Sequence, residues 1–170
     1  MGIKSERLAY FNITTACTSV TFSGLDGDTD EEYEIRGLFV CGSGTGPYYI
    51  IRPNNDSGNN YGEQFFTGYA TTIEANRYTP TNGIYISDFR TLPGCISKAV
   101  FNLFAKSGFV RTALGKVANS ITTTTVGHAW LTGQSWNNIA DNITSLVVLA
   151  TETNGIGVGS VIELYRKVTV

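Results

Sequence analysis

The stretch from Ile143 to Val168, ITSLVVLATETNGIGVGSVIELYRKV, constrains the fold of this chain more than any other. It reads as two strands around a long, glycine-spaced turn. Leu146, Val148 and Ala150 alternate with Val147, Leu149 and Thr151; beyond the turn, Val161, Glu163 and Tyr165 alternate with Ile162, Leu164 and Arg166. A pleated backbone imposes that period of two. The first of these strands is apolar on both faces and needs cover on both sides. A lone hairpin cannot supply it, whereas a closed or double-layered sheet can.

The rest of the chain follows the same pattern. Strands are expected at Ser19 to Ser23, Tyr33 to Cys41, Tyr48 to Arg52, Gln64 to Arg77, Gly83 to Phe89, Phe109 to Leu114, Ser120 to Trp130, Thr144 to Thr151 and Ser160 to Val168. The segment Ile96 to Lys106 is the best helix candidate, but Ala99, Phe101, Leu103 and Ala105 alternate with Lys98, Val100, Asn102 and Phe104, so it reads as a further strand. Between these runs stand turn residues such as Gly24-Leu25-Asp26-Gly27-Asp28, Asn54-Asn55-Asp56-Ser57-Gly58, Asn82-Gly83, Ser107-Gly108 and Asn154-Gly155. Asn and Gly tolerate the positive φ of tight reversals. The threonine run Thr122 to Thr125 suits a solvent-facing strand.

The fold class implied is all-β: a single β-sandwich or jelly-roll domain over residues 1–170, with about 8–10 antiparallel strands. Residues 1–13 read either as an N-terminal arm or as the first strand. A chain of 170 residues suffices for one core. Charged residues make up 15%, against roughly 25% in typical soluble domains. With a net charge of −2, no basic field is offered to nucleic acid. No run approaches the about 20 apolar residues of a membrane helix, and the opening MGIKSERLAYF lacks a signal-peptide core. Glu6 also stands where a myristoylation pattern wants Ser or Thr. Synthesis in a reducing cytoplasm is expected.

Candidate chemistry is sparse. Cys17, Cys41 and Cys95 are widely spaced and odd in number, which fits structural thiols better than disulfides or zinc. Asp26, Asp28 and Asp30 have the alternate spacing that opens a calcium loop. However, Glu31 occupies the glycine position of that motif and Gly37 the position of its bidentate glutamate, so a solvated acidic turn is expected. Gly42, Gly44 and Gly46, like Gly155, Gly157 and Gly159, lack a following helix and lysine, and read as flexible hairpin loops rather than phosphate cradles. His128 is the sole histidine and has no nucleophile elbow near it; a packing role is expected. Two sequons, at Asn12 and Asn142, matter only on a secretory route. No catalytic residue, cofactor or metal ligand is assigned.

The aromatic residues carry more information. Tyr48, Tyr49, Phe65, Phe66, Tyr69, Tyr78, Tyr85, Trp130 and Trp136 lie partly beside polar loops. One of each adjacent pair, such as Phe65 and Phe66, must point away from the core. The outward ring calls for a neighbouring subunit, a sugar or local cover.

Three segments carry a resemblance: SVTFSGLDGDTDEEYEIRG from Ser19 to Gly37, IIRPNNDSGNNYG from Ile50 to Gly62, and ITSLVVLATETNGIGVGSVIELYRK from Ile143 to Lys167. The chain resembles the small β-sandwich structural proteins of tailed bacteriophage virions. One departure is Arg166-Lys167, where small residues often occur in such proteins. The resemblance implies a non-enzymatic decoration or cement protein of the capsid surface, a homotrimer bridging the major capsid protein. Two other functions stay open at this point: a receptor- or glycan-binding module of a tail fibre or spike, and a polysaccharide-degrading enzyme with a carboxylate pair in a cleft.

Overall fold

The computed structural model describes residues 3–42, 46–87, 94–120 and 125–169. Twelve strands and one helical turn are present among them. In chain order they are β1 (Ile3–Asn12), β2 (Ser19–Ser23), α1 (Gly27–Asp30), β3 (Glu32–Val40), β4 (Tyr49–Pro53), β5 (Tyr61–Tyr69), β6 (Thr72–Thr81), β7 (Ile84–Ser87), β8 (Ile96–Phe104), β9 (Arg111–Ser120), β10 (Val126–Trp136), β11 (Ser145–Ala150) and β12 (Val161–Thr169). They form an eight-stranded sheet, ordered β1-β12-β3-β8-β9-β10-β5-β6, and a four-stranded sheet, ordered β2-β11-β4-β7. Each pairing is antiparallel. The all-β sandwich is therefore observed, and residues 3–12 form the first strand, paired to β12, rather than a free arm.

Alternation builds the core from both inner faces. Strand β9 reads buried and exposed in strict turn, and β8 nearly so. Tyr33, Ile35, Phe39, Phe101, Leu103, Ile162 and Leu164 of the large sheet meet Phe22, Tyr49, Ile51, Ile84, Leu146 and Val148 of the small one. Each such side chain contributes about 1.5–3 kcal/mol on burial. The Phe101 ring lies across Gly115 of the neighbouring strand, where a Cβ would stand 2.1 Å from it.

The C-terminal stretch departs from a simple hairpin, because β11 belongs to the small sheet and β12 to the large one. The glycine-spaced turn is a crossover between layers. Ile156 is fully buried and bridges Cys17 on one side and Cys41 on the other. Gly157 N–H donates to Val40 O (2.8 Å), Gly42 N–H to Gly155 O (3.0 Å) and the Tyr49 hydroxyl to Gly155 O (2.9 Å). The expected flexible loops at Gly42 and at Gly155 and Gly157 are thus corrected: these glycines let two backbones touch. Gly44 lies outside the described residues.

Two expected strands were drawn wrongly. The run Gln64 to Arg77 is the hairpin β5–β6, reversed at Ala70 in a left-handed conformation (φ 51°). The run Ser120 to Trp130 joined the end of β9 to the start of β10, with most of the threonine run in residues 121–124, outside the described set. Similarly, β9 begins at Arg111 and extends to Ser120 rather than spanning Phe109 to Leu114.

The Arg166-Lys167 departure has a local cause. Arg166 bridges Glu6 (2.9 Å) and Asp30 (3.0 Å), while Lys167 reaches Glu34 (2.7 Å). These pairs tie β12 to β1, to α1 and to β3.

Candidate functional site

The acidic turn folds into α1, and its carboxylates diverge. Asp26 caps the turn through Thr29 (3.3 Å to N–H, 2.8 Å to the hydroxyl), Asp28 accepts the Ser107 N–H (2.6 Å), and Asp30 accepts the Tyr33 hydroxyl (2.8 Å). Hydrogen bonds from Thr29 and Asn142 hold the Asp26 carboxyl below the usual range, and those from Ser107 do the same for Asp28. No cluster of three acids, histidines or cysteines able to hold a metal exists among the described residues. Asn142 of the second sequon is committed too, donating to Asp26 (2.9 Å) and accepting from Asp28 N–H (3.1 Å). None of the three cysteines is in a disulfide, and burial pushes the Cys17 thiol up, away from reactive thiolate.

The sequence reading missed Arg111. Fully buried, it donates to the carbonyls of Asn138 and Asp141 and, at 3.5 Å, of Ala105, with its guanidinium 5.3 Å from the centre of the Trp136 ring. Trp136 in turn donates its indole N–H to Asp56 (2.8 Å). Arg111 and Trp136 are register partners on β9 and β10, and the sheet places them together. Burial draws the Arg111 guanidinium below its ordinary range, opposed by the charges of Asp28 and Asp141. Nothing in the alternation singled it out from a solvated arginine.

The half of the larger sheet formed by β9, β10, β5 and β6 offers two surfaces. The outer one is apolar. Phe66 and Leu131 are directly opposite each other across β5 and β10 and are 55% and 50% exposed; Leu114 on β9 is 58% and Ile73 on β6 83% exposed. Elsewhere the outer face is charged and self-paired, with Arg7 on Glu163, Arg36 and Lys167 on Glu34, and Arg36 over the Tyr165 ring (4.4 Å). The outer face is therefore two-toned: ion pairs over β1, β12 and β3, and bare rings and leucines over β9, β10 and β5. Phe65 is buried and Phe66 exposed, as expected of adjacent aromatics. Of the pair Tyr48 and Tyr49 the outward ring is Tyr48, since Tyr49 is fully buried and stacked on Phe39 (4.5 Å).

On the inner face of the same half lies a cavity of about 210 Å³ between β5, β6 and β10. Phe65 and Trp130 are buried and meet edge to face at 4.8 Å. Tyr69 and Tyr78 are about half exposed and frame the opening. His128 stacks on Tyr69 (4.6 Å), and its Nδ1 lies 3.5 Å from the Thr67 hydroxyl. The expected packing histidine is therefore also a cavity-lining one.

A third depression, an open groove of about 700 Å³, crosses β5, β6, β8, β9 and β10. Glu32 and Glu63 both border it, but register puts Glu32 on the outer face, whereas Glu63 is buried on the inner face within 3.3 Å of the Thr132 hydroxyl. The two acids of this groove do not face each other.

No protein-family model matches this sequence, and no curated protein matches it. Among solved structures, a GH43 glycoside hydrolase engineered to display endo-xylanase and exo-arabinofuranosidase activity is similar at a TM-score of 0.29 and 15% identity, over 82% of this chain and 29% of that one. A candidate pore-forming toxin from Bacteroides vulgatus is similar at a TM-score of 0.13 and 6% identity, over 91% of this chain and 58% of that one. The chain spans under two thirds of either structure's length. Scores this low carry no argument about activity.

Proposed function

We propose that this chain is a non-enzymatic structural subunit that associates with copies of itself, as a trimer, and cements a larger shell, the head of a tailed bacteriophage. Strand β6 carries the proposal. Nine of its ten residues are exposed on both faces, and among the described residues it pairs only with β5. Ordering a backbone costs about 1–2 kcal/mol per residue, and each hydrogen bond to β5 offsets only about 0.5–1.5 kcal/mol. A strand with no buried side chain of its own gains most from a partner that covers it.

A second copy is the occupant that fits. The bare half of the outer face is four strands wide and about ten residues long, roughly 19 Å by 33 Å or on the order of 600 Å². That approaches the about 800 Å² per partner of a standard interface. Lys116 and Arg77 are the charges on this half, and both are exposed. The net charge of −2 leaves acidic surface elsewhere on a neighbouring copy to meet them in a head-to-tail, ring-closing contact. The head-cementing role itself rests on the resemblance of the three segments, and repetition around a trimer would let individually weak contacts add by avidity.

Purified protein mixed with tailed-phage heads stripped of their accessory proteins tests this reading. Saturable binding at a fixed ratio to capsid subunits, with slower thermal rupture of the heads, is the expected result. Protein that stays in the supernatant as a monomer at every concentration contradicts it.

A further inference from the structure

We infer that the inner-face cavity bounded by Trp130, Tyr69 and Tyr78 is a saccharide-binding site that takes one neutral sugar ring. The inference does not depend on the cementing role, since it concerns the opposite face of the sheet. At about 210 Å³ the cavity is smaller than the roughly 300–1,000 Å³ that holds drug-sized ligands, which limits it to a single ring.

The chemistry of the lining selects the ligand. A pyranose presents an apolar C–H face and a belt of hydroxyls, each able to donate and accept. Half-exposed Tyr69 and Tyr78 supply flat platforms for the first. Glu74, Asn76 and Thr67 supply acceptors and donors for the second. Glu74 is the only acidic, lysine or arginine side chain among the described lining residues. With no lysine or arginine there, uronic and sialic acids and phosphates are disfavoured.

A second observation points the same way. Trp130 is 7% exposed and lines the cavity, yet its indole N–H has no acceptor among the described residues. Buried donors without acceptors are rare in folded proteins and indicate an absent water, ion or ligand. What the Trp130 indole lacks is an oxygen acceptor, which a sugar hydroxyl provides. Choline, the other kind of ligand that aromatic rings beside a carboxylate attract, offers one hydroxyl where a pyranose offers several.

Titration of the full-length chain, followed by the indole N–H resonances of Trp130 and Trp136, distinguishes these cases. The probes are glucose, galactose, N-acetylglucosamine, glucuronate and choline. At least one neutral sugar is expected to shift the Trp130 signal saturably at millimolar concentration and leave that of Trp136 in place. Tyr69→Ala and Tyr78→Ala, which remove exposed rings and spare the core, are each expected to raise that Kd about tenfold. Glucuronate should bind more weakly than glucose in the wild type, and Glu74→Gln should narrow the gap. An unmoved Trp130 resonance with all three neutral sugars overturns the inference. So does stronger binding of choline, or an unchanged Kd in the Tyr69→Ala, Tyr78→Ala double variant.

Discussion

Replacing Arg111 by alanine is expected to cost about 3–5 kcal/mol of unfolding free energy. The side chain is fully buried, and its donors serve the carbonyls of Ala105, Asn138 and Asp141. Truncation leaves these acceptors without a donor and opens a void against Trp136, whose ring the guanidinium overlies. The carbonyls belong to the ends of β8 and to the β10–β11 connection, so one planar group ties together segments distant in sequence. Lysine is no substitute, because an ammonium lacks the flat fork that reaches several carbonyls at once; Arg111→Lys should lose more than half as much as alanine. Urea unfolding followed by tryptophan fluorescence measures both. In a domain of this size the alanine variant should melt roughly 10 °C lower. Losses below about 1 kcal/mol for both variants would show that the clamp contributes little.

A comparable loss is expected where the crossover meets the β3–β4 connection. A Cβ at Gly157 would stand 2.7 Å from the Cα of Gly42, 2.8 Å from Val40 O and 2.9 Å from Gly42 N. All three are backbone atoms, and no rotamer change relieves the conflict. Gly157→Val should therefore cost about 3 kcal/mol, the upper end for overpacking, because relief requires parting the hydrogen bonds that hold Ile156 between Cys17 and Cys41. Val158→Ala, one residue along at a side chain 59% exposed, serves as the control and should stay near wild type. Equal melting of the two variants would show that the crossover is as pliable as an ordinary loop.

Much of this architecture was legible in the sequence, and the parts that were not have physical causes. Period-two alternation located β8 correctly against a helix, since Ala99, Phe101 and Leu103 are buried while Lys98, Val100 and Asn102 alternate with them. The same rule failed at Ala70, because the hairpin there turns on an alanine with positive φ and carries no Gly, Asn or Pro. It failed again between Ser120 and Val126, which the register pairs with each other on β9 and β10 instead of placing them in one strand. Sheet membership was invisible for a different reason: alternation assigns faces, but nothing local says that β11 and β12 part into different layers. The cavity shares that property. Tyr69, Tyr78 and Trp130 come from three strands, and only the antiparallel register brings them to one face. Arg111 gave no signal at all, as a buried arginine and a solvated one look alike in a string of letters.

The proposed subunit role makes exposed β6 and the apolar half of the outer face a contact between copies of the chain. Sedimentation equilibrium tests that claim most directly, comparing the wild type with a Phe66→Glu, Leu131→Glu double variant. Both substitutions fall on exposed side chains and leave the core intact. The wild type is predicted to sediment at about three times the chain mass of 18.4 kDa at micromolar concentration, and the variant at the chain mass itself. A wild type that remains at 18.4 kDa across the whole range, or a variant that keeps the wild-type mass, would contradict the account.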